Sequence, residues 1–477
     1  MKTLKLPILL LIAASSYAYG NSHTFFSPRQ ITTDATFELA LTDYDIYHGD
    51  DESDFKLSIK PFYQQSNRGQ LSAQFFLPNN ASCVAVREDG TGDIDPLWFD
   101  VIGPSGTQYS STLAFSPTRI TYGGVLTFYA NLDRWIDGLW LLVNTAIISA
   151  NHNMHVNETN INTTGTIPGF PNMCGGFNDP DWCAGKIQCC GALNKGGLDD
   201  IQLKVGYDID FPCMNHISPY GVLTIPTGNR PTSHYLFEPL VGSKHVTLGF
   251  GLNTDYALWE QENNSLRILA DVKYRYSLRA CERRSFDLCA NGDWSRYLLV
   301  VDQAELGYSL PLINLATFQV NVTPGSTVDG WLAMHHHGAH FDVELGYNLW
   351  WRQQENIALR CPGAAATALG AFGIYDLTAI GIGAIPTTAS TATIAQAITS
   401  NQATSDATFT PLALNQINYC SAAHPSAMSN KIYLAIAKSY ECRAIAGLFG
   451  IGASYEIARP QAAFNQWAIW ADVGLNF

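Results

Sequence analysis

Apolar and polar residues alternate along several long stretches of this chain. In the runs 201–209, 246–258, 266–278 and 341–352, nearly every second residue is apolar. A period of two is typical of a β-strand with one apolar and one polar face. The longest runs exceed the five or six residues usual in soluble proteins. A tilted strand needs about 9–11 residues to cross the hydrocarbon core of a membrane. The alternation therefore predicts membrane-spanning strands.

Aromatic residues occur near the ends of the apolar faces of these runs. They are Tyr256, Tyr274, Tyr276, Tyr347 and Trp351. Transmembrane β-barrels carry girdles of aromatic residues at both membrane interfaces. An exported β-sandwich would show the same alternation, with its apolar face on a core. The aromatic placement favours the barrel over the sandwich.

The composition agrees with a sheet that has one face in lipid and one in water. Only 14% of the 477 residues are charged, 12% are aromatic, and the mean hydropathy is -0.01. That hydropathy is too polar for a bundle of transmembrane helices. The formal net charge of -14 argues against nucleic-acid binding, which needs a basic surface.

The N-terminus has the features of a secretory signal peptide. Lys2 and Lys5 precede an apolar run at 6–14, and 16–18 form a small-x-small cleavage site. We predict that 1–20 are removed and that 21–477 form the mature protein. An uncleaved N-terminal anchor is the alternative.

One other apolar segment invites comparison with a membrane helix. Residues 364–385 contain Asp376 and four glycines before Pro386. An aspartate at mid-membrane costs about 3 kcal/mol, and the segment has few leucines to offset it. We therefore expect the chain to cross the membrane with strands, and a transmembrane helix here is the minor alternative.

The candidate strands number about 15 from residue 35 to the C-terminus, which predicts an antiparallel barrel of about 14–16 strands because single-chain bacterial barrels have even numbers. The candidate strands are 35–44, 54–65, 108–116, 118–131, 138–149, one that starts at 198, 220–226, 245–259, 265–279, 295–303, 317–323, 340–352, 431–439, 444–457 and 465–477. Two long segments separate the strands and are expected to be extracellular inserts. One is the cysteine-rich segment 150–197, and the other is the Ala/Thr-rich segment 364–420.

The C-terminus is an amphipathic strand that ends in phenylalanine. It resembles the assembly signal of Gram-negative outer-membrane barrel proteins. In that family the last strand is recognised by the barrel-insertion machinery, so the resemblance implies that machinery as a partner and the bacterial outer membrane as the location. The implied signal residues are Trp467, Ile469, Val473, Leu475 and Phe477.

Eleven cysteines are unusual for a porin-like barrel. Disulfides are expected in an oxidising compartment, and the candidates are Cys174, Cys183, Cys189, Cys190, Cys281 and Cys289. A Cys281–Cys289 bridge within one loop is the preferred pairing, although spacing does not decide connectivity. The odd count leaves at least one thiol free or paired between chains. The general pattern resembles the major outer membrane proteins of intracellular bacteria such as chlamydiae and legionellae, where disulfide cross-links stiffen the envelope and the barrel is a porin.

The inward row of the predicted barrel carries charges of both signs. They could create a transverse field that screens solutes, or pair across the lumen and merely hold the wall. The predicted pore-lining residues are Arg267, Asp271, Lys273, Arg275, Arg279, Asp342, Glu344 and Arg352.

The sequence thus predicts a passive, cofactor-free porin-like channel for ions and small hydrophilic solutes in the outer-membrane lipid. A plugged, disulfide-linked structural or adhesive barrel without transport is the leading alternative. A carrier of hydrophobic solutes would need an apolar lumen. Either a homo-oligomer or cross-linked copies would suit a porin.

No common hydrolase, nucleotide-binding or metalloprotease motif occurs in a fitting context, so an enzyme is not expected. Outer-membrane phospholipases and proteases are also barrels, and a barrel enzyme is the third alternative. The cluster His335, His336, His337 and His340 could bind Zn²⁺ or Cu²⁺. We interpret it instead as a solvated turn and predict no metal site.

Overall fold

The structure of the protein is a computed structural model. It describes residues 22–41, 55–68, 70–103, 108–162, 169–211, 215–261, 264–304, 309–338, 340–376, 388–396, 405–442, 445–458 and 462–476. The predicted signal peptide and Phe477 lie outside the described residues.

Twelve antiparallel strands close into a β-barrel. The last strand pairs with the first, from Lys56 opposite Asn476 to Ser66 opposite Gln466. Closure satisfies the backbone groups that an open sheet edge would expose to lipid. The barrel strands are β1 Phe55–Ser66, β2 Thr118–Asn131, β3 Leu139–Asn153, β4 Ile201–Tyr207, β5 Asn215–Ile225, β6 Thr247–Gln261, β7 Asn264–Ser277, β8 Gly325–His337, β9 Asp342–Arg352, β10 Ala427–Cys442, β11 Ile445–Ala458 and β12 Gln466–Asn476.

The connections differ sharply between the two ends of the barrel. Bacterial barrels have short periplasmic turns and longer extracellular loops, so we expect the long connections to lie at the extracellular end. We call the described residues of these long connections the cap; the connections are 67–117, 154–192, 226–246, 278–324 and 353–426. Two long inserts were expected. Of the first, 150–197, the described residues of 154–192 belong to the cap, whereas 150–153 end β3 and 193–197 lie in a short strand that pairs with it. The described residues of the second, 364–420, belong to the cap.

The cap has a hydrophobic core of its own, in which Trp98, Trp294 and Tyr297 are almost fully buried. Its short strands are Cys83–Arg87, Ser110–Ala114, Asn157–Thr159, Ala280–Ser285, Asp287–Leu288, Leu299–Asp302, Ser309–Pro311, Thr317–Thr323, Asn356–Leu359, Phe372–Ile374 and Ile417–Asn418. Two further short strands, Leu193–Leu198 and Ile209–Phe211, pair with β3 and β5. The helical elements of the cap are the α-helices Gln70–Ala73, Met173–Phe177, Pro362–Gly370 and Tyr419–Ala422, and the 3-10 turns Pro78–Asn80, Pro96–Phe99, Ser295–Tyr297, Leu312–Asn314 and Leu414–Gln416.

The predicted strand number of 14–16 was wrong, because several candidate strands belong to the cap. Those near 108–116, 295–303 and 317–323 form small separate sheets there. They alternate in sequence because one face covers the cap core instead of facing lipid. Conversely, β8 was missed: His335, His336 and His337 end this strand rather than forming a turn.

The outer face of the barrel is an apolar belt. Phe250 is 64% exposed, Val272 and Ile432 are each 58% exposed, and Ile451 is 57% exposed. An apolar surface this large and continuous would be unfavourable in water, and it is typical of a wall that faces lipid. Within the described ranges, no helix combines the length and apolarity needed to span a membrane. The described part of the 364–385 segment starts with the last residues of the helix Pro362–Gly370 and continues into the strand Phe372–Ile374.

Candidate functional site

The inner face of the barrel is charged, and its charges are buried. Arg267, Asp271, Lys273 and Arg275 of β7 point inward, as do Asp342, Glu344 and Arg352 of β9. Arg279 lies two residues beyond the end of β7 and is exposed, so this candidate is not part of the inner wall. Burial of the other seven indicates that something fills the lumen.

The filling material is the N-terminal segment 22–41, which we call the plug. Near its start, the His23 amide donates to the Phe75 carbonyl and the Thr24 amide to the Ser421 carbonyl, at 2.8 Å each, so this part lies in the cap. Near its end, the Lys60 ammonium of β1 donates to the Ala40 carbonyl at 2.8 Å. The plug therefore runs from the cap into the barrel.

A short helix, α1 (Ala35–Leu39), forms the inner part of the plug. The Asp34 carboxylate accepts a hydrogen bond from the Thr36 amide at 3.1 Å, which is an N-cap. The sequence prediction of a strand at 35–44 was wrong over 35–39. The apolar side chains in this stretch contact a curved lumen wall and not a flat sheet. A helical turn suits such a wall because it directs the side chains to different sides of its axis.

Ion pairs tie the plug to the wall at three levels. The Arg29 guanidinium donates to Asp329 of β8 at 2.8 Å and to the Asn348 amide oxygen of β9 at 2.7 Å. Asp34 pairs with Lys431 of β10. These groups are almost fully buried, so each pair is held in a site with little water to screen it.

The third level is the deepest and involves Glu38 of α1. Its carboxylate lies 2.5 Å from the Lys204 ammonium of β4 and 2.5 Å from the Lys273 ammonium of β7. The Gln202 amide donates to the same carboxylate at 2.9 Å. One buried carboxylate thus forms ion pairs with two cations that the wall holds close together.

The plug also makes apolar contacts with the lumen. The Phe37 ring lies 4.8 Å from the Phe62 ring and 5.7 Å from the Trp470 ring, centroid to centroid. Leu269 and Trp331 belong to the same buried cluster. These wall residues place apolar side chains on an otherwise polar face because the plug covers them.

The sequence carried a signal for this site. Leu269, Trp350 and Trp470 interrupt the alternation in β7, β9 and β12. All three are buried inside the barrel at no more than 4% exposure. An apolar residue on the polar face of a barrel strand indicates that something other than water lies against it.

Most of the wall charges are paired locally and do not form two opposed walls. Arg267 contacts Asp255 of the neighbouring strand at 2.6 Å, and His335 lies 3.1 Å from Glu344. Sequence reasoning did not single out Lys60, Lys204, Asp329 or Lys431, which contact the plug. Within the described residues, no His/Cys/Asp/Glu group has an arrangement suited to a metal ion.

The cysteines lie mainly in the cap. Cys174 and Cys189 form a disulfide. The preferred Cys281–Cys289 pairing was wrong: both thiols are free, as are Cys183 and Cys190. Cys281 lies in the strand Ala280–Ser285, where the Gln319 side chain accepts from its thiol at 3.3 Å, while Cys289 follows a different short strand that pairs with Ile417–Asn418.

Loss of the Cys174–Cys189 disulfide is expected to destabilise the cap locally. The bridge closes a 15-residue separation, for which chain entropy predicts about 3 kcal/mol. The loss of stability is measured by urea unfolding of Cys174→Ser and, separately, by limited proteolysis of its cap. Cys83→Ser removes an exposed free thiol and is the matched control. Equal protease resistance of the two variants would contradict the expectation.

A histidine, His245, lies at the junction of cap and barrel. The two ring nitrogens of His245 lie 2.8 Å from the Leu278 carbonyl and 2.8 Å from the Glu282 carboxylate. Burial lowers the pKa of His245, but the hydrogen bond and charge of Glu282 outweigh burial and raise that pKa above its usual value. A histidine whose pKa is higher in the folded state than its unfolded pKa near 6.5 stabilises the fold at pH values below 6.5. This contribution is lost as the pH rises through the folded-state pKa.

We therefore expect the stability difference between wild type and His245→Asn to shrink as the pH rises from neutral to alkaline. The measurement is the urea midpoint of both proteins at several pH values above 6. A difference in midpoint that stays constant across this range would contradict the assignment.

Comparisons with known proteins find only weak likenesses. No protein-family model matches the sequence, and no curated protein matches it significantly. Solved structures that resemble it include an outer membrane channel from Pseudomonas putida F1, with 8% identity, a TM-score of 0.39, and coverage of 89% of this chain and 96% of that chain. A FadL homologue from Pseudomonas aeruginosa has 6% identity, a TM-score of 0.28 and 89% coverage of each chain. The outer membrane protease OmpT from Escherichia coli has 8% identity, a TM-score of 0.20, and coverage of 89% and 97%.

Likenesses this weak carry no argument, and the location follows from the molecule itself. A closed antiparallel barrel with an apolar outer belt and a polar interior is the architecture of outer-membrane proteins. The protein is a bacterial outer-membrane β-barrel. The resemblance to cysteine-rich major outer membrane proteins stays a prediction.

Proposed function

We propose that the protein is an outer-membrane channel for passive diffusion of ions and small hydrophilic solutes, and that the plug closes it. The observation that carries this proposal is a charged lumen wall filled by a segment of the chain itself. A barrel that served only as a solid support would gain more from an apolar interior, because buried ion pairs add little net stability. A charged wall suits a lumen that is hydrated part of the time.

The plug is held in a way that allows release. It contains no cysteine, so no disulfide fixes it to the wall, and its wall contacts are the ion pairs, hydrogen bonds and aromatic contacts described above. Water can replace each polar contact once the lumen hydrates. The carboxylates of Asp34 and Glu38 would leave with the plug, and Lys204, Lys273 and Lys431 would then line an open path.

Liposome swelling tests the solute class. Proteoliposomes of the full chain and of a variant lacking 22–41 are placed in isotonic arabinose, raffinose or a large dextran. We expect faster swelling of the deletion variant in arabinose than in raffinose, and none in dextran. Equal permeability to all three solutes would indicate a leak, and no permeability in a folded, heat-modifiable variant would overturn the proposal.

The second candidate is a plugged structural or adhesive surface barrel. The structured cap and the dense contacts between plug and wall favour it. A folded deletion variant without conductance would support this alternative. The absence of enzymatic activity, recognition of β12 by the insertion machinery, and homo-oligomers or cross-links remain predictions.

A further inference from the structure

A cavity lies at the cap end of the lumen, between the plug and strands β5 to β9. Three arginines line it: Arg29 from the plug, Arg275 from β7 and Arg352 from β9. Each is more than nine-tenths buried. Its apolar lining includes Phe25, Pro231, Leu240 and Pro324.

The three arginines have donor capacity that the described part of the chain does not use. The Nε–H groups of Arg29, Arg275 and Arg352 have no acceptor among the described residues. An unsatisfied donor on a buried cation is costly, and such groups are normally paired or hydrogen-bonded. Three of them around one cavity point to a missing acceptor.

Arg352 has a counter-charge in Glu355 but forms no ion pair with it. Its guanidinium donates to the Ser27 hydroxyl at 3.0 Å and to the Ser27 carbonyl at 3.2 Å, and it contacts His424. No carboxylate forms an ion pair with it in the described ranges. The Arg352 guanidinium lies 5.6 Å from the centre of the Trp350 ring, and so does that of Arg29, so two like charges share one aromatic side chain.

The acidic groups around the cavity already have partners. Asp329 pairs with Arg29 and Arg275. Glu282 pairs with Arg284 and His245, and Glu355 pairs with Arg284 at 3.3 Å. Arg284 is shared by Glu282 and Glu355, and the Glu355 charge also acts on Arg352 at longer range, so Arg352 has a counter-charge but no direct ion pair.

We propose that this cavity binds a small organic carboxylate. A carboxylate has two acceptor oxygens and one negative charge, which would satisfy the free Nε–H groups and give Arg352 a direct ion pair. A short apolar body would contact the proline, leucine and phenylalanine lining. The ligand would bridge the plug and the wall, because Arg29 belongs to the former and the other two arginines belong to the latter. Binding does not require that the barrel conducts, so this proposal goes beyond the proposed function.

The test is titration of the detergent-folded full chain with butyrate and with butyramide, its neutral counterpart. Isothermal calorimetry and saturation-transfer NMR give the binding, and this comparison needs no variant. We expect butyrate to bind at least tenfold more tightly, as a charge-assisted hydrogen bond of about 1.5–3 kcal/mol implies. Equal binding of the two would overturn the proposal, and so would inorganic phosphate that binds as tightly as butyrate, since it would show a general anion site.

Variants then locate the site. Arg352→Gln is expected to weaken butyrate binding about tenfold, whereas Arg352→Lys, which keeps the charge, should weaken it less. Arg134→Gln, at an exposed position in the connection between β2 and β3 at the opposite end of the barrel, is the matched control and should bind like wild type. Undiminished binding by a folded Arg352→Gln would overturn the assignment to this cavity. Binding is measured without a membrane, so its failure is distinguishable from failure of the channel proposal.

Discussion

Deletion of 22–41 is expected to turn a closed barrel into a conducting one. The deletion removes the plug and leaves an inner wall that includes Lys60, Lys204, Lys273 and Lys431. These side chains would be hydrated, and ions can pass along a wall of hydrated charges. Planar-bilayer recording of the full chain and the deletion variant compares the frequency and size of the current steps.

The sign of the selectivity identifies the route. Loss of Glu38 leaves Lys204 and Lys273 without their shared carboxylate, so the deletion variant should prefer anions. A reversal potential under a salt gradient measures that preference. Adding Lys273→Glu to the deletion should reduce or reverse the anion preference. Lys244 lies in the cap connection between β5 and β6, so adding Lys244→Glu tests whether loss of any lysine has the same effect. If the two substitutions shift the reversal potential equally, the path does not pass Lys273.

Replacement of Glu38 by glutamine is expected to loosen the plug without removing it. Glutamine has nearly the same shape but leaves the Lys204 and Lys273 cations buried around a neutral amide. Removal of one partner from a buried ion pair costs about 3–5 kcal/mol, because the remaining charge is uncompensated. We therefore expect lower resistance to urea and more frequent opening in bilayers than for wild type.

Two controls separate charge from general damage. Asp137→Asn neutralises an exposed acid between β2 and β3 and should change neither property. The double variant Glu38→Gln with Lys273→Met removes one of the two stranded cations and should recover part of the lost stability. A Glu38→Gln protein as stable as wild type, with unchanged opening, would show that the ion pairs do not hold the plug.

The alternation of residues was sufficient to predict most of the barrel wall. The 118–131 candidate is β2, and the candidates at 245–259, 265–279 and 340–352 correspond closely to β6, β7 and β9. A period of two assigns each residue to a face whatever the neighbouring strand is. That is why the inward positions of Arg267, Lys273 and Glu344 could be read from the sequence.

Alternation does not say what lies against either face. The cap strand Thr317–Thr323 and the barrel strand β8 both place every second residue on a covered face. Only the hydrogen-bonded order of strands assigns one to a small sheet and the other to the wall. The count of 15 candidates therefore exceeded the twelve strands of the barrel.

The sequence by itself determined the class of the protein: an antiparallel barrel with an apolar outer face and a charged inner face. The tertiary structure decided what fills the barrel. Glu38 meets Lys204 and Lys273, and Arg29 meets Asp329, although 166 to 300 residues separate the partners in the chain. Local pattern reports the environment of a residue but not its partner, because the partner is set by barrel closure and by the path of the plug through the lumen.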